Sequence, residues 1–501
     1  MDVRAFTGGF LEAPVDTIVV GVFEGDRGLS NVAVVVDKAM DGAISRMVKA
    51  GETTGKQGDC IVLHTLGKLT ASRVVVVGLG KAEELSLERL RRVAGETGRF
   101  LRRVKTRKAV VEALGTGVKG ISFESAGQAL AEGFIMGLYA FHKYLTKEPD
   151  DVAIEELLVS ETDSARAVEI ERGCRFGRVL ADAVNSTRDM VNEPANRMTP
   201  SDMADIARTL ARGHRLECTV LEREQMSSLG MGALLGVAQG SSQPPKFIVL
   251  GYRGAPDSSK VMGWLGKAVT FDSGGISLKQ SDGMESMKGD MSGGSAVMNA
   301  VAVLAQMALK ANVTAIVPAT ENMPGGRAQR PGDVVKAMNG KTIEVVNTDA
   351  EGRLILADAL CYAVKEKLST LVDLATLTGA CHIALGDFCS GLFGNDEPWQ
   401  KKVREAGEAS GECLWPMPMF NDYAEQIKST VADMKNSGGR WGGAITAAKF
   451  LAEFAGNTPW AHIDIAGTAQ TDKERGYLVK GATGVGVRTL VNLARLTARE
   501  E

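Results

Sequence analysis

Thr342-Ile343-Glu344-Val345-Val346 runs directly into Asn347-Thr348-Asp349-Ala350-Glu351-Gly352-Arg353, and Leu354 to Lys365 follows with apolar residues at helical spacing. The β-branched run reads as a strand and the longer apolar pattern as a helix. The junction between them carries two carboxylates and a guanidinium. In an extended or turning backbone, residues i, i+2 and i+4 project to the same side, so Asp349, Glu351 and Arg353 are expected to converge on one small volume. Two like charges held that close need a counter-ion or a shared proton.

Candidates for the rest of such a site lie upstream. Gly266-Lys267-Ala268-Val269-Thr270-Phe271-Asp272-Ser273-Gly274-Gly275-Ile276-Ser277-Leu278-Lys279 brackets an acid with two lysines, and Met287-Lys288-Gly289-Asp290 adds another acid. Hard divalent cations prefer oxygen ligands, and two of them sharing carboxylates form a clamp for hydrolysis. The available donors are Asp272, Asp290, Asp349 and Glu351. There are only 5 histidines and no HExxH, which excludes a single-zinc protease of that type. Lys267 and Lys279 sit in apolar, glycine-rich surroundings, although lone lysines are usually surface partners of acids. Near cations and low-dielectric walls one could ligate as a neutral amine, and the other, kept protonated, could polarise a carbonyl.

Outward from this junction, short β-branched runs alternate with helical patterns. Strands are expected at 17–22, 60–63, 73–78, 109–111 and 154–159, with helices at 86–104 and 126–144. These make an N-terminal α/β domain over 1–162, whose end falls near the polar stretch Lys147-Glu148-Pro149-Asp150-Asp151 or just after the next strand. Ser164 to Val191 reads as one long helix, a linker over 163–192 stopped by Asn192-Glu193-Pro194. A C-terminal catalytic domain over 193–501 follows, with strands near 246–250, 261–265, 313–317, 342–346, 371–374 and 461–465. Helices near 294–307, 354–365 and 444–454 lie between them. The fold class expected is α/β in two domains, the larger built on a central mixed sheet covered by helices. The candidate residues fall just after strands, where open α/β sheets place ligands.

A chain of 501 residues exceeds what one core normally serves. A net charge of -3 gives no general attraction to nucleic acid or anionic membrane. No apolar run is long enough to cross a bilayer, and no signal peptide is evident. Seven cysteines without a CxxC pair argue against a disulfide framework and for a reducing cytoplasm. The Gly274-Gly275 pair and Gly78-Leu79-Gly80-Lys81 read as turns, the latter lacking Walker spacing. Cys381-His382 reads as packing. The basic run from Arg89 to Lys108 could bind nucleic acid, but interleaved glutamates favour a solvated mixed-charge face.

Asn347 to Leu354 is identical to the signature octapeptide of the cytosol (leucyl) aminopeptidase family, which the chain resembles closely. The Lys267–Asp272–Lys279–Asp290 spacing agrees, as do Asn192 to Pro200, Glu321-Asn322-Met323, Ala375 to Ala380 and Trp460 to Gly467. The resemblance implies an exopeptidase with two divalent metal ions, Mn2+ or Zn2+, acting on peptide substrates as a cytoplasmic homohexamer with no membrane association. Carried over, Asp272 and Glu351 would bridge both metals, Asp349 would bind one, and Lys267 with Asp290 the other. Lys279 would be the electrophilic lysine, and Arg353 would hold bicarbonate or water. Met287, Thr376, Leu377, Gly379 and Ala466 would line the site for the first substrate residue. Leucine-like side chains would be preferred. The alternatives are a cysteinylglycine-type dipeptidase, additional nucleic-acid binding by the basic N-terminal helix, or a structural or metal-storage oligomer. Intact Lys279 and Arg353 speak against the last.

Overall fold

The computed structural model describes residues 1–25, 28–118, 120–147 and 152–498. The chain divides into two compact units, 1–185 with 472–480, and 186–471 with 481–501. The expected boundary at Lys147–Asp151 falls largely on 148–151, outside the described residues.

The first unit is built on a six-stranded sheet in the order Asp2–Phe6, Glu156–Ser160, Lys108–Glu112, Thr17–Val22, Arg73–Gly78, Cys60–His64. Every pairing is parallel except the last. Thr17–Val22 and most of Arg73–Gly78 are buried, which suits their near-continuous valine runs. The first strand was not legible in the sequence. Asp2–Phe6 is short, lies at the sheet edge, and gains its definition from pairing with Glu156–Ser160. The helix expected over 126–144 instead spans Phe123–Gly137. Ser122 accepts from the Ser125 N–H while Ser125 accepts from the Ser122 N–H, so a capping box fixes the start upstream of the apolar pattern. The segment 472–480 returns to this unit, where the Gly476 carbonyl accepts from Arg99 at 2.7 Å and its N–H donates to Glu96 at 3.0 Å.

The helix Ser164–Asn192 is continuous, and the division between units falls within it. In the second unit, eight strands form a mixed sheet. Their order is Cys413–Pro416, Cys389–Gly394, Trp460–Asp464, Thr370–Ala375, Met262–Gly266, Asn312–Asn322, Lys246–Arg253 and Glu217–Leu221. A ninth, Ala268–Asp272, pairs with the far end of the long strand Asn312–Asn322. Alternation along Thr370–Ala375 puts different layers on the two faces. Leu371 and Ala375 join a core with the helices Gly352–Lys365 and Gly443–Ala455. The Leu374 side chain lies against Gly486, and its carbonyl lies against Gly293 in the largely buried helix Ser292–Gln306. Two central strands are also joined by a buried polar set: Asp373 lies 2.6 Å from His462 Nδ1 and accepts from Trp460 Nε1 at 2.6 Å.

Two expectations need correction. The run 342–346 is not a strand of the main sheet. Only Thr342–Glu344 is extended, in a three-stranded accessory sheet with Val334–Lys336 and Met434–Lys435. Cysteine pairing also occurs: Cys389 and Cys413 form a disulfide, with Cα atoms 4.7 Å apart in register on adjacent parallel strands. Strand pairing brings together thiols whose sequence spacing carries no signal.

Candidate metal centre

Lys267 is the single residue between the strands Met262–Gly266 and Ala268–Asp272, and Asp272 ends the second of them. Lys267 is almost wholly buried, and its Nζ lies 2.8 Å from both Asp290 Oδ2 and Glu351 Oε1. It also donates to the Thr376 carbonyl at 2.9 Å. Gly352 makes room for this side chain, because a Cβ there would lie 2.5 Å from Lys267 Cε.

Past Asp272 the chain turns back through Gly274 and Gly275, both in the left-handed region at φ +88° and +68°. A Cβ on Gly275 would also meet Asn322 Oδ1 at 2.7 Å and Thr348 Oγ1 at 3.0 Å. The pair is therefore a turn, as its sequence suggests, and one that requires glycine for both conformation and space. The turn brings Lys279 Nζ to 2.7 Å from Asp272 Oδ2 and 2.5 Å from Asp349 Oδ1. Thr348 fastens this loop to the signature segment, donating to the Gly274 carbonyl at 2.6 Å and accepting from Ser277 N–H at 2.8 Å.

Six of the seven charged residues expected from the sequence, all but Arg353, thus form one ion-paired cluster. Ligand oxygens of Asp272, Asp290 and Glu351 lie within 4.8 Å of one another. The geometry of the signature segment departs from simple alternation. Glu351 already has helical backbone angles and caps Gly352–Lys365, so Asp349 and Glu351 diverge to different lysines. Arg353, in the first turn of that helix, donates to the Asn436 carbonyl at 2.9 Å.

Burial works against every charge here, and neighbours decide the outcome. Burial and the nearby Glu351 push Asp272 up to about 6, and burial raises Asp290 well above the ordinary carboxylate value. Asp349 is raised by burial and by Glu351. Burial alone would raise Glu351 too, but Lys267 and Lys279 outweigh it and lower its value. Burial disfavours both ammoniums as well, yet Asp290 and Glu351 hold Lys267 above its ordinary value, and Asp272 and Glu351 do the same for Lys279. With these partners Lys267 is an ammonium, so ligation by its amine requires displacement of a proton. Burial pulls Arg353 down to about 10.

The donor set fits hard divalent cations. Three carboxylates face one volume, with Asp349 linked to them through Lys279, and Asp290 Oδ2 and Asp349 Oδ1 take no hydrogen bond beyond their lysine ion pairs. Asn322 donates to Asp272 at 2.8 Å, to the Thr348 carbonyl at 3.0 Å and to Glu351 at 3.4 Å. It orients two of the carboxylates from the end of the long strand. Asn322 lies in a segment that matches the family pattern, but its residue type alone carries no signal of this role.

Of the residues expected to contact substrate, Thr376 bonds to this cluster. Thr376 donates to Asp290 at 2.6 Å. Asp464, wholly buried, accepts from the N–H groups of Leu377 at 3.2 Å and Ala466 at 3.1 Å and from the Thr378 hydroxyl at 2.6 Å. Gly379 begins the helix that Thr378 caps. Met287 lies on the short turn Met284–Gly289 that precedes Asp290. Elsewhere, Cys381 is buried and its thiol is pushed up to about 12 by burial, which agrees with packing. The basic run is largely committed within its own unit. Arg89 pairs with Glu84, Arg91 with Glu132, Arg92 with Glu88, Arg107 with Glu155 and Lys108 with Glu156. No helix among the described residues is long and apolar enough to cross a membrane.

Residues 185–491 match the cytosol aminopeptidase family catalytic domain, and residues 19–148 match that family's N-terminal domain. A probable cytosol aminopeptidase of Solibacter usitatus is 48% identical over 97% of both chains. Among solved structures, a mutant of tomato leucine aminopeptidase is similar with a TM-score of 0.88 at 34% identity, covering 99% of this chain and 96% of that one. The bottromycin maturation enzyme BotP in complex with Mn is similar with a TM-score of 0.84 at 33% identity, covering 96% of this chain and 99% of that one. The chain belongs to the cytosol aminopeptidase family and is a metal-dependent peptidase.

Proposed function

We propose that this protein removes N-terminal residues from peptides, leucine and similar side chains preferentially, using two divalent cations, Mn2+ or Zn2+. The observation that carries this reading is the buried cluster of Asp272, Asp290 and Glu351, with the half-buried Asp349 beside it, held between one sealed lysine and one accessible lysine. Asp272 and Glu351 would bridge the two cations, Asp349 would hold one, and Asp290 with Lys267 the other. Cations held there would supply Lewis acidity and lower the pKa of a water.

Lys279, with 24% of its side chain exposed, is the lysine a substrate can reach. Its ammonium stabilises negative charge developing on the peptide carbonyl oxygen. Arg353 keeps a buried Nε with no hydrogen-bond partner. That guanidinium would hold a bicarbonate or water, which supplies proton-transfer capacity at the site. Thr376, Leu377, Gly379, Ala466 and Met287 would seat the first residue. A free α-amine, which no internal peptide bond presents, would be held at the carboxylates, so cleavage is confined to chain ends. The family name supports a cytoplasmic setting, and a homohexamer is the assembly we propose.

Hydrolysis of leucine p-nitroanilide by chelator-stripped protein, with and without added Mn2+ or Zn2+, tests this. Rescue by metal and inertness of the N-acetylated substrate are expected. Full activity after chelation, or cleavage of the blocked substrate, overturns it.

A further inference from the structure

Asn436 lies 83 residues beyond Arg353, yet it is bonded throughout to the signature segment. Its side chain is wholly buried. Oδ1 accepts from the N–H groups of Val346 at 2.9 Å and Asn347 at 3.3 Å. Nδ2 donates to the carbonyls of Asn347 at 2.7 Å and Ala350 at 3.4 Å. The carboxamide's hydrogen-bonding capacity is therefore spent on the five residues that lead into Glu351. The main-chain carbonyl of the same residue accepts from Arg353 Nη1 at 2.9 Å, and its N–H donates to the Glu344 carbonyl at 3.0 Å.

Little else holds this carbonyl in place. The strand before Asn436 has only two residues, Met434–Lys435. After it comes Ser437-Gly438-Gly439-Arg440-Trp441-Gly442-Gly443, with Gly439 and Gly442 in the left-handed region at φ +88° and +61°. A glycine-rich connection cannot fix a preceding peptide group. The carboxamide can, because it grips both edges of the segment carrying Asp349.

We propose that Asn436 is a positioning residue for the hydrolytic reaction. Its side chain ties its own backbone to 346–350, so that its carbonyl sets the Arg353 guanidinium relative to Asp349 and Glu351. The inference rests on the role given above to Arg353 and adds a residue that the sequence analysis did not single out. The accessory pairing of Thr342–Glu344 with Met434–Lys435 brings it to the site.

The test is a double-mutant cycle of N436A and R353A, with kcat and KM for leucine p-nitroanilide read at saturating Mn2+. N436A is expected to lower kcat by about 10–100-fold with KM changed less than about 3-fold. In the R353A background the same change should cost less than about 3-fold, because the group it positions is already gone. A purely structural contribution would multiply through in both backgrounds, and that outcome overturns the proposal, as does N436A turnover within about 2-fold of wild type. N436D keeps the size and an acceptor oxygen but loses both N–H donors, and serves the same cycle if N436A does not fold. Amide exchange at Val346 and Asn347, which donate to the carboxamide oxygen, is independent of turnover and should accelerate in N436A. Unchanged exchange overturns the anchoring, whereas an inactive wild type whose exchange still responds to N436A refutes the aminopeptidase reading alone.

Discussion

Glu112 in the first unit and Glu351 in the second are both buried glutamates, and they respond to burial in opposite directions. Glu112 accepts from the Gly21 N–H and the Ser30 hydroxyl, both at 2.6 Å, and burial raises it to about 7. Glu351 is buried at least as deeply but faces two lysines, which lower its value. Hydrogen-bond donors alone do not offset burial at Glu112, whereas at Glu351 the two ammonium neighbours outweigh it.

The comparison breaks most severely if the sealed ammonium is removed. Lys267→Met leaves Asp290 and Glu351 buried without a counter-charge, and should destabilise the metal-free protein by about 3–5 kcal/mol. Chemical denaturation checks this, and unfolding unchanged from wild type would show that the pairing matters little. The open end of the cluster should behave differently. Lys279→Ala is expected to unfold like wild type while losing about 10²–10³ of turnover at saturating Mn2+. Wild-type turnover in that variant would remove Lys279 from the mechanism.

Glu112 supplies the control without a cation. It binds its proton more tightly folded than unfolded, so its contribution to stability is fullest below its ordinary value of 4.5 and is lost as the pH rises toward about 7. The span corresponds to roughly 3 kcal/mol. Glu112→Gln should flatten that slope in calorimetric scans across this range, and an unaltered slope would assign the pH dependence to other groups. The smallest effect is steric. Gly352→Ala places a Cβ 2.5 Å from Lys267 Cε and should cost about 1–3 kcal/mol and weaken Mn2+ binding, measured by titration calorimetry.

Much of this site was legible in the residues. Acids and lysines crowded into apolar, glycine-rich segments at strand ends have few stable arrangements other than mutual neutralisation, and Lys267, Asp272, Lys279, Asp290, Asp349 and Glu351 do cluster. The pairing among them was not legible. Alternation assumed an extended chain through 349–353, but helical geometry begins at Glu351 and sends its carboxylate to Lys267 rather than to Lys279. The long, strongly periodic strands and helices were also readable. The edge strand Asp2–Phe6, the box-capped start of Phe123–Gly137 and the short accessory strands were not, because each is defined by a partner or a cap rather than by its own periodicity.

The sequence by itself determined the two-part α/β architecture and the chemical inventory of the site, since hydrophobic period and residue type are local properties. Tertiary structure alone decided which ammonium is sealed and which is open, which glutamate stays charged, and that Asn436 grips the signature segment. Those outcomes depend on burial and on distances between groups far apart in the chain, and local sequence carries neither.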